Sequence, residues 1–73
     1  MYVNVYSDQK RLVFFCANLA KEVQTIRLNV SDFAKSASIL QAENTKITAN
    51  ASNHSWVEAE LPPENIGIIE FAI

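Results

Sequence analysis

A chain of 73 residues, 49% apolar and 19% charged, has the composition of one small folded domain over residues 1–73, not of a disordered tail. No apolar run approaches the ~20 residues that span a membrane, which argues against a membrane partner. The net charge of −2 is uneven, +2 over residues 1–42 and −4 over residues 43–73. It forms no basic stripe or basic-aromatic module, which argues against nucleic acid.

The hydrophobic period is two from the start. In MYVNVY, Val3 and Val5 share one face, and Tyr2, Asn4 and Tyr6 share the other. The opening lacks a basic segment followed by a long apolar one, so no signal peptide is expected in it and the compartment stays open. SDQK is polar and turn-like. RLVFFCAN, residues 11–18, is apolar on both faces and reads as a central strand covered on both sides, paired with the first as a hairpin. Its Cys16 is the only cysteine, which excludes an internal disulfide. Within LVFFCA the thiol reads as a small buried hydrophobe, since no base or fellow ligand stands near it in sequence.

NLAKEVQ is a connection. VQTIRLNV, residues 23–30, turns Ile26, Leu28 and Val30 inward and Thr25, Arg27 and Asn29 outward. SDF can start a helix, and SDFAKSASILQAE then has Phe33, Ala37 and Leu40 on one side. The same segment also fits a strand at SASILQA, because Ser36, Ser38 and Ile39 are poor helix formers. Whether residues 31–42 hold a short helix is left open at this level. A weak strand is expected around Thr45–Thr48 and a loop near Asn50–Ser55. SWVEAEL alternates, with Val57, Ala59 and Leu61 opposite Trp56, Glu58 and Glu60. Pro62 and Pro63 cannot continue a central ladder, so PPEN is a turn. IGIIEFAI forms a last strand with Ile69, Phe71 and Ile73 on one face. Six or seven short strands at even spacing predict an all-β fold, a small antiparallel β-sandwich. With a single glycine, Gly67, the turns fall to Asn, Asp, Ser and Pro.

Three stretches together carry a resemblance: RLVFFCANLAKEVQTIRLNV, ASILQAENTKITANAS and LPPENIGIIEF. The pattern resembles the small C-terminal all-β domain that follows the catalytic barrel in many glycoside hydrolases, alpha-L-arabinofuranosidases and their relatives being nearest. The first stretch matches a strand ending in Asn, a polar link and a strand written i-x-L. The second matches a strand leading into an Asn-bearing loop. The third matches an LPP-x-S turn feeding a final apolar strand, with Asn65 where Ser is common. The resemblance covers nearly the whole chain. It implies a non-catalytic β-sandwich beside a catalytic domain. That family's catalytic carboxylates lie on the barrel, so no catalytic residue is carried over.

The residues themselves point the same way. Glu58 and Glu60 share a strand face, where a solvated pair is the ordinary reading and no cleft for a sugar is visible. His54 is the only histidine and sits in a polar loop, without the ligands of a zinc site or a nucleophile-elbow pattern. No metal and no cofactor is expected, and the chain by itself is not expected to be an enzyme. Asn29, Asn50 and Asn53 head N-x-S acceptor triplets, which matter only in a eukaryotic secretory setting. Phe14, Phe15, Phe33 and Phe71 are expected in the core. Trp56, Tyr2 and Tyr6 lie on polar faces and are the candidates for contact with a carbohydrate or a partner. Trp56 is expected to be covered by a neighbouring loop or strand end, docked against a catalytic domain or a second copy of the chain, or stacked on an oligosaccharide. The leading expectation is an accessory domain of a carbohydrate-active enzyme. The rival is a free-standing carbohydrate-binding module, with Trp56 and the tyrosines as platform, or a protein-interaction module.

Overall fold

In the computed structural model, which describes residues 1–73, the alternating stretches become seven strands. These are β1 (Tyr2–Ser7), β2 (Arg11–Asn18), β3 (Gln24–Asn29), β4 (Ser38–Glu43), β5 (Lys46–Asn50), β6 (Trp56–Leu61) and β7 (Asn65–Ala72). They form two antiparallel sheets, four-stranded in the order β1-β2-β7-β4 and three-stranded in the order β3-β6-β5. The predicted β-sandwich is therefore the fold. Only β1–β2 and β5–β6 are sequential hairpins within one sheet; every other connection crosses between sheets. In the segment left open between helix and strand the strand forms, as β4; no helix runs through Phe33, Ala37 and Leu40, and one 3₁₀ turn at Val30–Asp32 is all that precedes it.

The core lies between the sheets. Leu12, Phe14 and Cys16 from β2 and Ile69 and Phe71 from β7 face Leu28 from β3 and Val57, Ala59 and Leu61 from β6, with Val30 closing one end. The Phe14 ring meets Phe33 and Phe71 edge-on, at centroid distances of 5.8 and 5.9 Å.

Two expectations are corrected. β2 is central but covered on one side only, since its second apolar face (Val13, Phe15, Ala17) belongs to the outside of the four-stranded sheet. Phe15 is consequently exposed. Phe33, placed just after the 3₁₀ turn, is also exposed and touches the core only along the edge of Phe14. Phe14 and Phe71 are buried as expected.

The turns manage with almost no glycine. Left-handed backbone is adopted by Asn44, His54 and Glu64, at φ 56°, 56° and 52°. Asn44 joins β4 to β5, His54 joins β5 to β6, and Glu64 follows the two prolines between β6 and β7. Gly67 has no positive φ and lies inside β7. A Cβ there would run into Thr45 Cγ2 and come within 3.2 Å of Leu61 Cδ2 and 3.3 Å of the Asn44 carbonyl oxygen. Space, not backbone conformation, requires glycine at this point. In the first hairpin, Asp8 Oδ1 accepts hydrogen bonds from the backbone N–H of Lys10 (2.7 Å) and Arg11 (2.8 Å). These bonds hold its carboxyl below the usual carboxylate range.

Candidate functional site

Strand register fixes what each outer surface displays, because residues directly opposite in an antiparallel pair share a face. Across the four-stranded sheet, Tyr6, Val13, Glu70 and Gln41 stand side by side. Asn4, Phe15, Ile68 and Glu43 form the next row, and Tyr2, Ala17 and Ile66 the third. Glu70 is tied down, accepting from Arg11 Nη1 at 3.1 Å and from Gln41 Nε2 at 3.0 Å. The rest of this surface is mixed: Tyr2, Tyr6, Phe15 and Ile66 are exposed around Val13 and Ile68, and Asn4 and Glu43 are exposed beside them. Large exposed apolar side chains are thus concentrated on the outer face of this sheet, with these two polar residues among them.

The three-stranded sheet presents a different surface. Asn29 lies opposite Trp56, Arg27 opposite Glu58, and Thr25, Glu60 and Lys46 form a third row. The Arg27 guanidinium carbon stands 4.4 Å from the centroid of the Trp56 ring, and its Nη1 is 3.9 Å from Glu58 Oε1. One face of the indole is thus covered by a cation from the adjacent strand. The cover comes from the middle of a neighbouring strand, not from the loop or strand end expected, and Trp56 stays partly exposed.

Trp56, Tyr2 and Tyr6 do not come together. The tyrosines lie outside one sheet and the tryptophan outside the other, with the core between them. A single aromatic platform built from all three is therefore corrected to two separate surfaces. Glu58 and Glu60 occupy the outer face of β6, as expected, with Arg27 and Lys46 beside them. His54 Nδ1 lies 3.0 Å from the Ala37 carbonyl oxygen, so the ring donates from Nδ1 and links two loops. Cys16 is fully buried, and burial pushes its thiol pKa up. A shallow cleft of about 260 Å³ opens where Val23, Asn44, Lys46, Glu60 and Pro62 meet. Nowhere do three or more His, Cys, Asp or Glu side chains converge.

Sequence reading missed one polar residue of consequence. Asn18 is 1% exposed. Its amide nitrogen donates towards the carbonyls of Glu22 (3.0 Å), Leu61 (3.2 Å) and Pro62 (3.1 Å), and its Oδ1 accepts from Ala20 N–H at 3.0 Å. The same two connections meet again where Glu64 N–H donates to the Ala20 carbonyl. The crossovers β2–β3 and β6–β7 are latched together there. Parity in RLVFFCAN was the available signal: Asn18 shares its face with Leu12, Phe14 and Cys16.

Comparison of the chain with protein-family models, curated proteins and solved structures finds no match.

Proposed function

We propose that this chain is a non-catalytic accessory β-sandwich of a carbohydrate-active enzyme, of the glycoside hydrolase C-terminal type. In this reading it packs beside the catalytic domain through the outer face of its four-stranded sheet. The observation that carries the reading is that face: Tyr2, Tyr6, Phe15 and Ile66 exposed around Val13 and Ile68. Burying apolar surface yields roughly 25 cal/mol per Å², so a face of several large side chains gives a neighbouring domain a substantial attachment. The resemblance adds support at two points. The strand-terminal Asn of ANL and the LPPEN turn are the pieces that latch to each other, and the turn feeds β7 into the middle of the sheet.

The test begins with the gene. A (β/α)₈ barrel of about 250–400 residues should be encoded in the same reading frame. A reading frame without such a barrel overturns the proposal. With the barrel present, Phe15→Glu and Ile66→Lys should each loosen the chain from it, read as separation after limited proteolysis. Unchanged attachment would remove this face from the contact. Retention of an oligosaccharide by the isolated chain, without any barrel, would favour the alternative of a free-standing carbohydrate-binding module.

A further inference from the structure

Sheets end in edges, and natural edges carry devices that stop them pairing with other chains. Three of the four edge strands here have one. β4 is broken by a register shift between Ile39 and Gln41, β5 by another between Ile47 and Ala49, and β3 has Arg27 at its middle. β1 has none. Its pairing with β2 is uninterrupted over six residues, and YVNVYS contains no charge and no proline. Its inward side chains are not fully covered either: Val3 and Val5 remain 37% and 40% exposed.

The sequence of this edge is a palindrome. Residues 2–6 read YVNVY in both directions about Asn4. We infer that β1 pairs antiparallel with β1 of a second copy of this chain, about a two-fold axis at Asn4, to join two four-stranded sheets into one of eight strands.

The hydrogen-bond parity fits. Asp8 N–H donates to the Arg11 carbonyl, and Ile73 N–H to the Lys10 carbonyl. In an antiparallel ladder the bonded pairs alternate, so Tyr2, Asn4 and Tyr6 bond to β2, while Val3, Val5 and Ser7 turn their N–H and C=O to the open edge. In the two-fold arrangement Val3 meets Val5 of the second copy, and Val5 meets Val3. Both are hydrogen-bonded pairs, giving four backbone bonds. Asn4 meets Asn4 as the close, non-bonded pair, so the two amides can bond each other. Each Tyr2 lies opposite a Tyr6, and the valines pack on the inner side. No like charges face one another, because the strand has no charge.

The area is also sufficient. A tyrosine side chain presents about 200 Å², and Tyr2 and Tyr6 are 68% and 57% exposed. With the valines and the main-chain edge, the contact covers on the order of several hundred Å² in total, enough for a weak, concentration-dependent dimer and not for a permanent one. Pairing uses up β1 in both copies, so assembly through this edge stops at the dimer.

Sedimentation velocity on the whole chain should show the 8.2 kDa monomer giving way to a species of twice that mass as concentration rises. Asn4→Lys places like charges opposite each other only in the dimer. It should weaken association at least about tenfold while leaving the circular dichroism spectrum unchanged. Cysteine cross-linking reads the register directly. Asn4→Cys should form a covalent dimer with an added mild oxidant, since non-bonded antiparallel partners have Cα atoms ~4.5 Å apart, within disulfide reach. Tyr6→Cys alone should not, because its counterpart lies four residues away, about 13 Å along the strand. Mixed with Tyr2→Cys it should give the heterodimer. A chain that stays monomeric at about 1 mM overturns the inference. So does a dimer indifferent to Asn4→Lys, or one that cross-links equally through Asn4→Cys and Tyr6→Cys.

Discussion

Asn18 and Trp56 are both polar-capable side chains at strand ends, yet their energetic weights differ. The Arg27–Trp56 contact is on the outside of the sandwich, and exposed cation–π pairs contribute about 0.5–1 kcal/mol. Asn18 is buried, and its single amide serves carbonyls from two separate connections. Removing it leaves buried acceptors without donors, which costs about 1–3 kcal/mol each where water cannot enter. Asn18→Ala should therefore lower unfolding free energy by about 3 kcal/mol in urea titration. Asn18→Asp should cost at least as much, because its carboxylate would face three carbonyl oxygens. A loss below about 0.5 kcal/mol for Asn18→Ala would show that the latch is not a source of stability.

At the scale of elements, alternation with period two made the strands legible, and β6 shows why. Val57, Ala59 and Leu61 are all fully buried and their neighbours are not, so one stretch of sequence states both the element and its orientation. β2 shows the limit. Both of its faces are apolar, and which one is covered depends on the three-stranded sheet lying on one side alone. That is a property of the other strands, not of RLVFFCAN. The candidate site was legible as residues and not as an arrangement. Tyr2 and Tyr6 were readable as one face of β1, but their separation from Trp56 follows from which sheet each strand joins. Gly67 was equally opaque, since nothing local announces that Thr45 will lie over it. This contact gives an element-scale prediction. Gly67→Ala should cost about 1–3 kcal/mol by overpacking. Thr45→Ala removes the obstructing methyl together with an Oγ1 that is buried without a hydrogen-bond partner. In that background the cost of Gly67→Ala should fall by about 1 kcal/mol or more. Additivity within about 0.5 kcal/mol in the double-mutant cycle would mean that the two sites do not meet.

For the whole molecule, the decisive fact is that the last strand is the middle one. β7 lies between β2 and β4, so the four-stranded sheet cannot be completed until residues 65–72 return to residues 11–18. Pairings so distant in sequence make folding slow and cooperative. Phe71 concentrates this dependence: it is fully buried, it stacks edge-on against Phe14, and its backbone sits opposite Leu12 on one side and Ile39 on the other. Truncating a buried phenylalanine costs about 3–5 kcal/mol, which approaches the entire stability of a domain this small. Cys16 provides the reporter. It is fully buried on the same inner face of β2, and burial raises its thiol pKa, so the folded chain both shields the sulfur and disfavours its thiolate. Labelling by a thiol reagent should therefore wait for the sheet to open. In the intact chain the label should appear at a rate that tracks unfolding in urea. In Phe71→Ala, or in a chain ending at Glu70, labelling in buffer should be fast, with the strand signal in circular dichroism reduced. Slow labelling and an unchanged melting curve in the truncated chain would mean that the sandwich stands without the end of β7, and that the core is organised around β2 and β6 alone.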